Sequence, residues 1–130
     1  ATAGTAPLKL TSGTNLTTPE AGAVEFDGTN YFATASTTRY TVAKTLTNTA
    51  TLDFSSTAAG TTSDLTITVT GAADGDAVSL GVANASTVAN GSYTAFVSAT
   101  NTVTVRFTNS SLASPLDPAS GSFRASVIKY

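Results

Sequence analysis

Apolar and polar positions alternate in several short runs between residues 50 and 130. In residues 64–70, Leu65, Ile67 and Val69 fall on one side and threonines on the other, which is the period of a half-buried β-strand. The same alternation predicts five further strands, at 50–54, 77–82, 93–97, 102–108 and 123–128. The side chains predicted to face inward include Leu52, Phe54, Val103, Val105, Phe107, Phe123, Ala125 and Val127.

Turn-forming residues separate these runs. Residues 71–75 and the Asn90-Gly91 pair each precede a predicted strand, and the short 99–101 link predicts a hairpin. Pro115 and Pro118 break any ladder before the last strand. Short, half-polar strands at this spacing, without a helical stripe, predict an all-β fold. The fold class expected for residues 49–130 is an antiparallel β-sandwich, either jelly-roll or immunoglobulin-like.

Residues 1–48 differ from the rest of the chain. Two short strands are predicted at 7–10 and 23–26, and a tight turn at 27–30 leads into a strand at 31–34. The pattern predicts an N-terminal β-hairpin arm, with a further strand at 39–46.

This arm has too few apolar residues for a core of its own. Segments of about 40 residues usually need a metal, disulfides or oligomerisation to stay folded, and the sequence has no Cys and no His. We therefore expect residues 1–48 to be an oligomerising segment stabilised by another subunit. The side chains predicted to lie at that interface are Leu8, Leu10, Val24, Phe26, Tyr31 and Phe32.

Composition excludes several classes of function. Cys, His, Met and Trp are all absent, which removes thiol nucleophiles, imidazole bases and the usual transition-metal ligands. The net charge is −2, so no basic field exists to attract nucleic acid or an anionic membrane. No apolar run approaches the length of a membrane span. We expect a protein that is not an enzyme and binds no cofactor.

Threonine makes up about a fifth of the chain, and its branched side chain suits β-strands. A disordered Thr/Ser-rich stalk is the competing interpretation, but the alternating apolar runs favour a folded protein. Charged residues are only 11% of the chain. A surface so poor in charge suits either a subunit whose faces are covered in an assembly or a soluble domain coated with threonine.

Residues 6–30 read APLKLTSGTNLTTPEAGAVEFDGTN. This stretch resembles a segment common in tail-fibre and related structural proteins of tailed bacteriophages. The resemblance covers about a fifth of the chain and implies a virion protein, commonly a homotrimer. Residues 50–130 resemble, less specifically, the C-terminal β-domains of such proteins. At 31–34 the family often has one more apolar residue, which shifts the alternation by one position.

Two groups of side chains are candidates for binding chemistry. Asp74 and Asp76 flank a glycine and could both reach a Ca²⁺ ion, although no glutamate follows at the spacing of a calcium loop and Asx turns use aspartate without metal. The tyrosines are the other group, since exposed rings can stack on sugars, whereas packing at strand edges or subunit contacts is the alternative. These tyrosines are Tyr31, Tyr40, Tyr93 and Tyr130.

These observations together predict a non-enzymatic phage virion protein, such as a head fibre, a decoration protein or a tail-fibre tip. It would be made in the bacterial cytoplasm, self-associate as a trimer and project from the particle beside other virion proteins. Loops at 90–93 and 111–120 are expected to point outward and could contact a host-surface glycan. The alternatives are a carbohydrate- or receptor-binding adhesion module and a self-assembling surface filament subunit.

Overall fold

The computed structural model describes residues 8–129, which form two compact units that meet in sequence between Lys44 and Thr45. The sequence had suggested a boundary four residues later, between 48 and 49. The described residues contain nine strands, one short 3₁₀ turn at Asn84–Ser86 and no α-helix. None of the helical structure in this part of the chain is long and apolar enough to cross a membrane. The all-β prediction is therefore confirmed.

The first unit contains a three-stranded antiparallel sheet in the order β1-β2-β3. The turn between its first two strands is closed by Asp27, whose Oδ1 accepts hydrogen bonds from the backbone N–H groups of Thr29 (2.8 Å) and Asn30 (2.7 Å). An aspartate that bonds to the backbone two or three residues ahead is a common way to fix a tight turn. The strands are β1 (Val24–Phe26), β2 (Tyr31–Ala35) and β3 (Thr38–Thr41).

Two predicted strands in the first unit were wrong. Residues 8–10 lie in no strand, and Pro7, the first residue of that prediction, lies outside the described part of the chain. The run 39–46 was predicted as one strand, but Val42 and Ala43 interrupt it, so that β3 ends at Thr41 and the next strand begins at Lys44. Alternation alone does not show such a break, because a strand can leave one sheet without any change in its polar pattern.

The second unit contains two three-stranded sheets. One has the order β4-β9-β6 and the other β5-β8-β7. Pairing is antiparallel between β5 and β8, between β7 and β8, and between β6 and β9. The strands are β4 (Lys44–Leu52), β5 (Thr62–Thr68), β6 (Ala77–Gly81), β7 (Gly91–Ala99), β8 (Thr102–Asn109) and β9 (Gly121–Lys129).

One hydrophobic core draws on both sheets of the second unit. Every second residue of the two central strands is buried, because strand side chains alternate between faces. The inward positions predicted from the sequence are at most 6% exposed, with the exception of Leu65, which is half-buried and packs against the core. The core consists of Leu52, Phe54, Ile67, Val69, Ala72, Val97, Val103, Val105, Phe107, Phe123, Ala125 and Val127.

Four aromatic rings occupy the middle of this core. Phe54, Tyr93, Phe107 and Phe123 have centroid separations of 5.1–5.9 Å in tilted and edge-to-face arrangements, which aromatic rings prefer. The Tyr93 hydroxyl donates a 2.8 Å hydrogen bond to the Ser86 carbonyl, and burial raises the pKa of that phenol. The prediction that loop 90–93 points outward was therefore wrong at Tyr93.

The proline-containing loop after β8 is fastened by a buried asparagine. The Asn109 side chain donates to the Thr57 carbonyl (2.9 Å) and the Ser114 carbonyl (3.0 Å), and its Oδ1 accepts from the Ser111 backbone (2.8 Å). Leu116 forms an isolated bridge with Thr57. Satisfying every polar group of a buried amide makes this connection specific. Part of the loop predicted at 111–120 thus packs inward, although Leu112 is 99% exposed.

We expect the Phe123→Ala substitution to destabilise the second unit by about 3–5 kcal/mol, because it leaves a cavity among the four rings. Phe96 is the matched control, since it lies on a strand of the same unit but is 41% exposed. Phe96→Ala should cost about 1 kcal/mol or less. Urea unfolding of the full chain measures both. Equal losses for the two variants would contradict this description of the core.

Candidate functional site

The sheet of the first unit carries apolar side chains on one side. Directly paired residues of antiparallel strands point to the same side of a sheet. Val24 pairs with Ala33 and Ala33 with Tyr40, while Phe26 pairs with Tyr31. Val42, two residues past Tyr40, donates its N–H to the Tyr31 carbonyl at 2.8 Å and continues the same row. We call these six residues the apolar face: Val24, Phe26, Tyr31, Ala33, Tyr40 and Val42.

Much of the apolar face is exposed. The exposed fractions are 61% for Val24, 43% for Tyr31, 56% for Tyr40 and 45% for Val42. Phe26 and Ala33 are half-buried. A contiguous group of large apolar side chains in water marks an interaction surface far more often than single exposed residues do. The apolar face is therefore the candidate functional site of this unit.

Pairing across the strands gives the apolar face a fixed shape. The rings of Phe26 and Tyr31 stack with centroids 4.5 Å apart and planes inclined by 20°. The two residues flank the turn closed by Asp27, so the local sequence holds the rings together. Backbone hydrogen bonds from Val42 to Tyr31 and from Thr34 to Ala23 (2.9 Å) extend the sheet on both sides.

The opposite side of the same sheet carries an ion pair that binds the chain preceding β1. Arg39 binds Glu25 through two contacts, Nε to Oε2 at 2.8 Å and a terminal nitrogen to Oε1 at 3.2 Å. The Leu16 backbone N–H donates to the same carboxylate, and its carbonyl accepts from Arg39. The Arg39 and Glu25 side chains are 22% and 11% exposed. This network fastens residue 16 to the sheet and leaves the apolar face as the open side.

The six residues predicted to form one subunit interface do not lie together on one surface of the first unit. Val24, Phe26 and Tyr31 lie together on the apolar face. Phe32 lies on the opposite side, because it alternates with Tyr31 along β2 and pairs with Thr41 and Glu25.

The other two predicted interface residues lie outside the strands of the sheet. Leu8 is 78% exposed. Leu10 is half-buried and lines a shallow groove of about 270 Å³ together with Leu16, Val24 and Phe26.

The predicted interface left out three members of the apolar face, Ala33, Tyr40 and Val42. Tyr40 was considered as a ring that could stack on sugar or pack at a strand edge or subunit contact, and Ala33 and Val42 were not singled out. A signal was present, since residues 39–42 alternate between polar and apolar side chains. Once β3 was placed beside β2, that alternation would have put Tyr40 and Val42 on one side.

In the candidate calcium pair, Asp74 and Asp76, one of the two carboxylates is already bound to a lysine. Asp76 Oδ2 accepts hydrogen bonds from Lys129 Nζ and from the Ala73 backbone N–H, both at 2.8 Å. Asp74 is exposed on the same turn. Among residues 8–129 no three acidic side chains come close enough together to hold a metal ion. Lys129 supplies at Asp76 the positive charge that a cation would have supplied.

Three aspartates have lowered pKa values because of identifiable partners. The ion pair with Lys129, supported by the Ala73 N–H, lowers the pKa of Asp76. Arg106 donates two hydrogen bonds to Asp64, at 2.8 and 2.7 Å, and lowers its pKa. The backbone N–H groups of Asn30 and Thr29 lower the pKa of Asp27. In each case the charged form is favoured by hydrogen bonds, as in structural carboxylates of folded proteins.

A comparison of the chain with models of protein families, with curated proteins and with solved structures found no match in any of the three.

The three lowered pKa values predict acid sensitivity with a definite sign. A carboxylate whose pKa falls below its unfolded value of 3.8 contributes stability above that value and loses it as the pH falls through the folded pKa. The free energy of unfolding should therefore stay nearly constant from about pH 7 to pH 5 and fall below about pH 4. Asp76→Asn should make that fall shallower, as measured by urea unfolding at each pH.

Asp53→Asn is the control for this prediction, because Asp53 forms no ion pair within residues 8–129. It should leave the slope of the pH profile unchanged. An Asp76→Asn profile that coincides with that of the original chain would show that the Lys129 pair does not contribute.

Proposed function

We propose that this protein is a non-enzymatic structural subunit of a tailed-bacteriophage particle, acting as a head fibre, a decoration protein or a tail-fibre tip. It self-associates through the apolar face of its first unit, as a homotrimer, and projects from the particle. The resemblance of residues 6–30 to tail-fibre proteins supports the virion assignment and the number of subunits. The apolar face supports self-association.

A contrast between the two units carries the proposal. Within residues 8–44 the only buried residue is Thr34, and no apolar side chain is buried. The second unit buries twelve apolar residues in one core. A three-stranded sheet gains stability in water by covering a hydrophobic face, and here that face is uncovered. A second copy of the chain supplies a face of matching size and polarity, and symmetric association is the commonest arrangement of such subunits.

The surface surrounding the apolar face favours association with like copies. Charged residues are 11% of the chain, and the one ion pair of this sheet, Glu25–Arg39, lies on the opposite side. Identical surfaces can therefore approach through this face without desolvating that ion pair. Apolar burial then supplies the free energy of association.

We also infer that the second unit is a β-sandwich of the immunoglobulin type, rather than a jelly roll. Its core contains side chains from both sheets. In an immunoglobulin domain, strands B, E and D are neighbours in one sheet and C, F and G in the other. The order β5-β8-β7 corresponds to B-E-D, and β6-β9-β4 corresponds to C-F-G with β4 in the place of G.

The chemistry of the chain supports a role without catalysis. No His or Cys is present to act as a base or nucleophile, which leaves lysines and carboxylates as the side chains that could activate a hydroxyl. Lys129 binds Asp76, and Lys44 contacts the Thr29 carbonyl at 3.2 Å. Most of the described carboxylates that accept short hydrogen bonds either form structural ion pairs or fix a tight turn.

We expect the full chain to sediment at three times its 12.9 kDa mass at micromolar concentration. The double variant Val24→Thr, Val42→Thr replaces two exposed methyl groups of the apolar face by hydroxyls while keeping branched side chains that suit strands. It should weaken association by about tenfold or more, because each buried methyl contributes about 0.8 kcal/mol and a buried hydroxyl adds a cost. Analytical ultracentrifugation over a concentration series measures this shift.

Leu112→Thr is the matched control, since Leu112 is fully exposed but belongs to the second unit and not to the sheet that carries the apolar face. It should leave the mass distribution unchanged. A monomeric chain at about 100 μM, or equal weakening by the control, would overturn the proposal. An open series of larger species would favour the filament subunit instead.

A further inference from the structure

The three arginines of the chain differ in whether they bind a carboxylate of the described chain. Arg39 holds the Glu25 carboxylate and Arg106 holds the Asp64 carboxylate, each through two hydrogen bonds. Arg124 has no carboxylate within reach among residues 8–129. The planar guanidinium group is matched to two-pronged binding of a carboxylate. Among residues 8–129 that pairing is satisfied at Arg39 and Arg106 and is open at Arg124.

Arg124 stands beside a groove on the outward side of the β4-β9-β6 sheet. Its neighbours along β9, Phe123 and Ala125, point into the core, so Arg124 points away from it. Gly81 pairs directly with Arg124 across the strands and has no side chain to fill the space beside the base of the Arg124 side chain. The groove has a volume of about 230 Å³ and is lined by Thr49, Gly81, Val82, Ala83, Ser122 and Arg124.

We propose that this groove binds the carboxylate of an acidic sugar residue, of the uronic acid type, in a polysaccharide chain. Arg124 binds the carboxylate, the hydroxyls of Thr49 and Ser122 bond to ring hydroxyls, and Val82 and Ala83 contact the carbon–hydrogen side of the ring. The proposal concerns the second unit alone and does not depend on self-association or on a virion role.

Charge and size select this class of ligand. The groove has one cation and no anion among its lining residues, so an anionic group is complementary to it. Its volume lies below the roughly 300–1,000 Å³ of sites that enclose a whole drug-sized molecule. One ring of a longer chain, entering from the open side, fits better. The hydroxyl groups around the arginine match a sugar better than the aliphatic stem of an acidic amino acid.

The test is a titration of the ¹⁵N-labelled full chain with trigalacturonic acid, followed by amide chemical shifts. We expect saturable shifts at Gly81, Ser122 and Arg124 with millimolar affinity. The trimethyl ester of the same trisaccharide keeps the rings and removes the charges, and it should bind at least about tenfold more weakly. Absence of shifts up to about 10 mM acid, or equal binding of the ester, would overturn the proposal.

Two variants separate the charge from the shape of the groove. Arg124→Gln removes the cation of the groove, and Gly81→Val adds a side chain that fills part of its volume. A Cβ atom at Gly81 would meet nothing closer than 3.6 Å, so this strand position accepts a branched residue. Each variant should lose at least about tenfold in affinity. Arg106→Gln is the control with the same change in net charge, and it should bind like the original chain.

The control and a competing ligand complete the test. An equal loss of affinity in Arg106→Gln would show that net charge alone attracts the trisaccharide. Unchanged affinity in Arg124→Gln or Gly81→Val would show that the trisaccharide binds elsewhere. Either result rejects the groove as the binding site. N-acetyl-glutamate amide presents a carboxylate without a sugar ring. Should it bind as tightly as trigalacturonic acid, the occupant is an acidic peptide and the sugar assignment fails.

Discussion

Apolar side chains on one side of a sheet have to be covered, and this constraint separates the two units of the chain. In the second unit the inward residues of β8 and β9 meet around four aromatic rings, and Phe107 and Phe123 have no exposed surface. In the first unit the same alternation of residues produces the apolar face, and most of its large side chains remain exposed in the described chain. The first unit therefore has the local structure of a sheet without the burial that normally stabilises one. Self-association is the simplest way to supply that burial.

Polar interactions in this protein determine geometry more than they add stability. The two hydrogen bonds from the turn backbone to Asp27 bring Phe26 against Tyr31, and the Glu25–Arg39 pair fastens the preceding chain to the polar side of the sheet. Exposed or half-exposed ion pairs contribute little net free energy, but each selects one arrangement over others. Arg124 has the same chemistry but no carboxylate partner within the described part of the chain, and this is the basis for proposing an anionic ligand there.

Much of the second unit was predictable from the sequence, and less of the first. Runs such as 102–108 alternate cleanly and are bounded by turns, so both the strand and its inward residues followed from period two. The first unit has strands of three to five residues, too short for periodicity to fix their limits. Placing Phe32 with Tyr31 at one interface ignored the fact that neighbours along a strand point to opposite sides. The groove beside Arg124 was not predictable, because it depends on Gly81 pairing across to a residue 43 positions later.

Self-association through the apolar face requires contacts between copies of the chain. A mixed sample of ¹³C-labelled and unlabelled chains allows isotope-filtered nuclear Overhauser spectra to detect only contacts between different molecules. We expect intermolecular signals from the methyl groups of Val24 and Val42 to aromatic protons, together with none from the buried methyl groups of Val103 and Val105. Signals absent at Val24 and Val42, in a sample whose other resonances are intact, would contradict it.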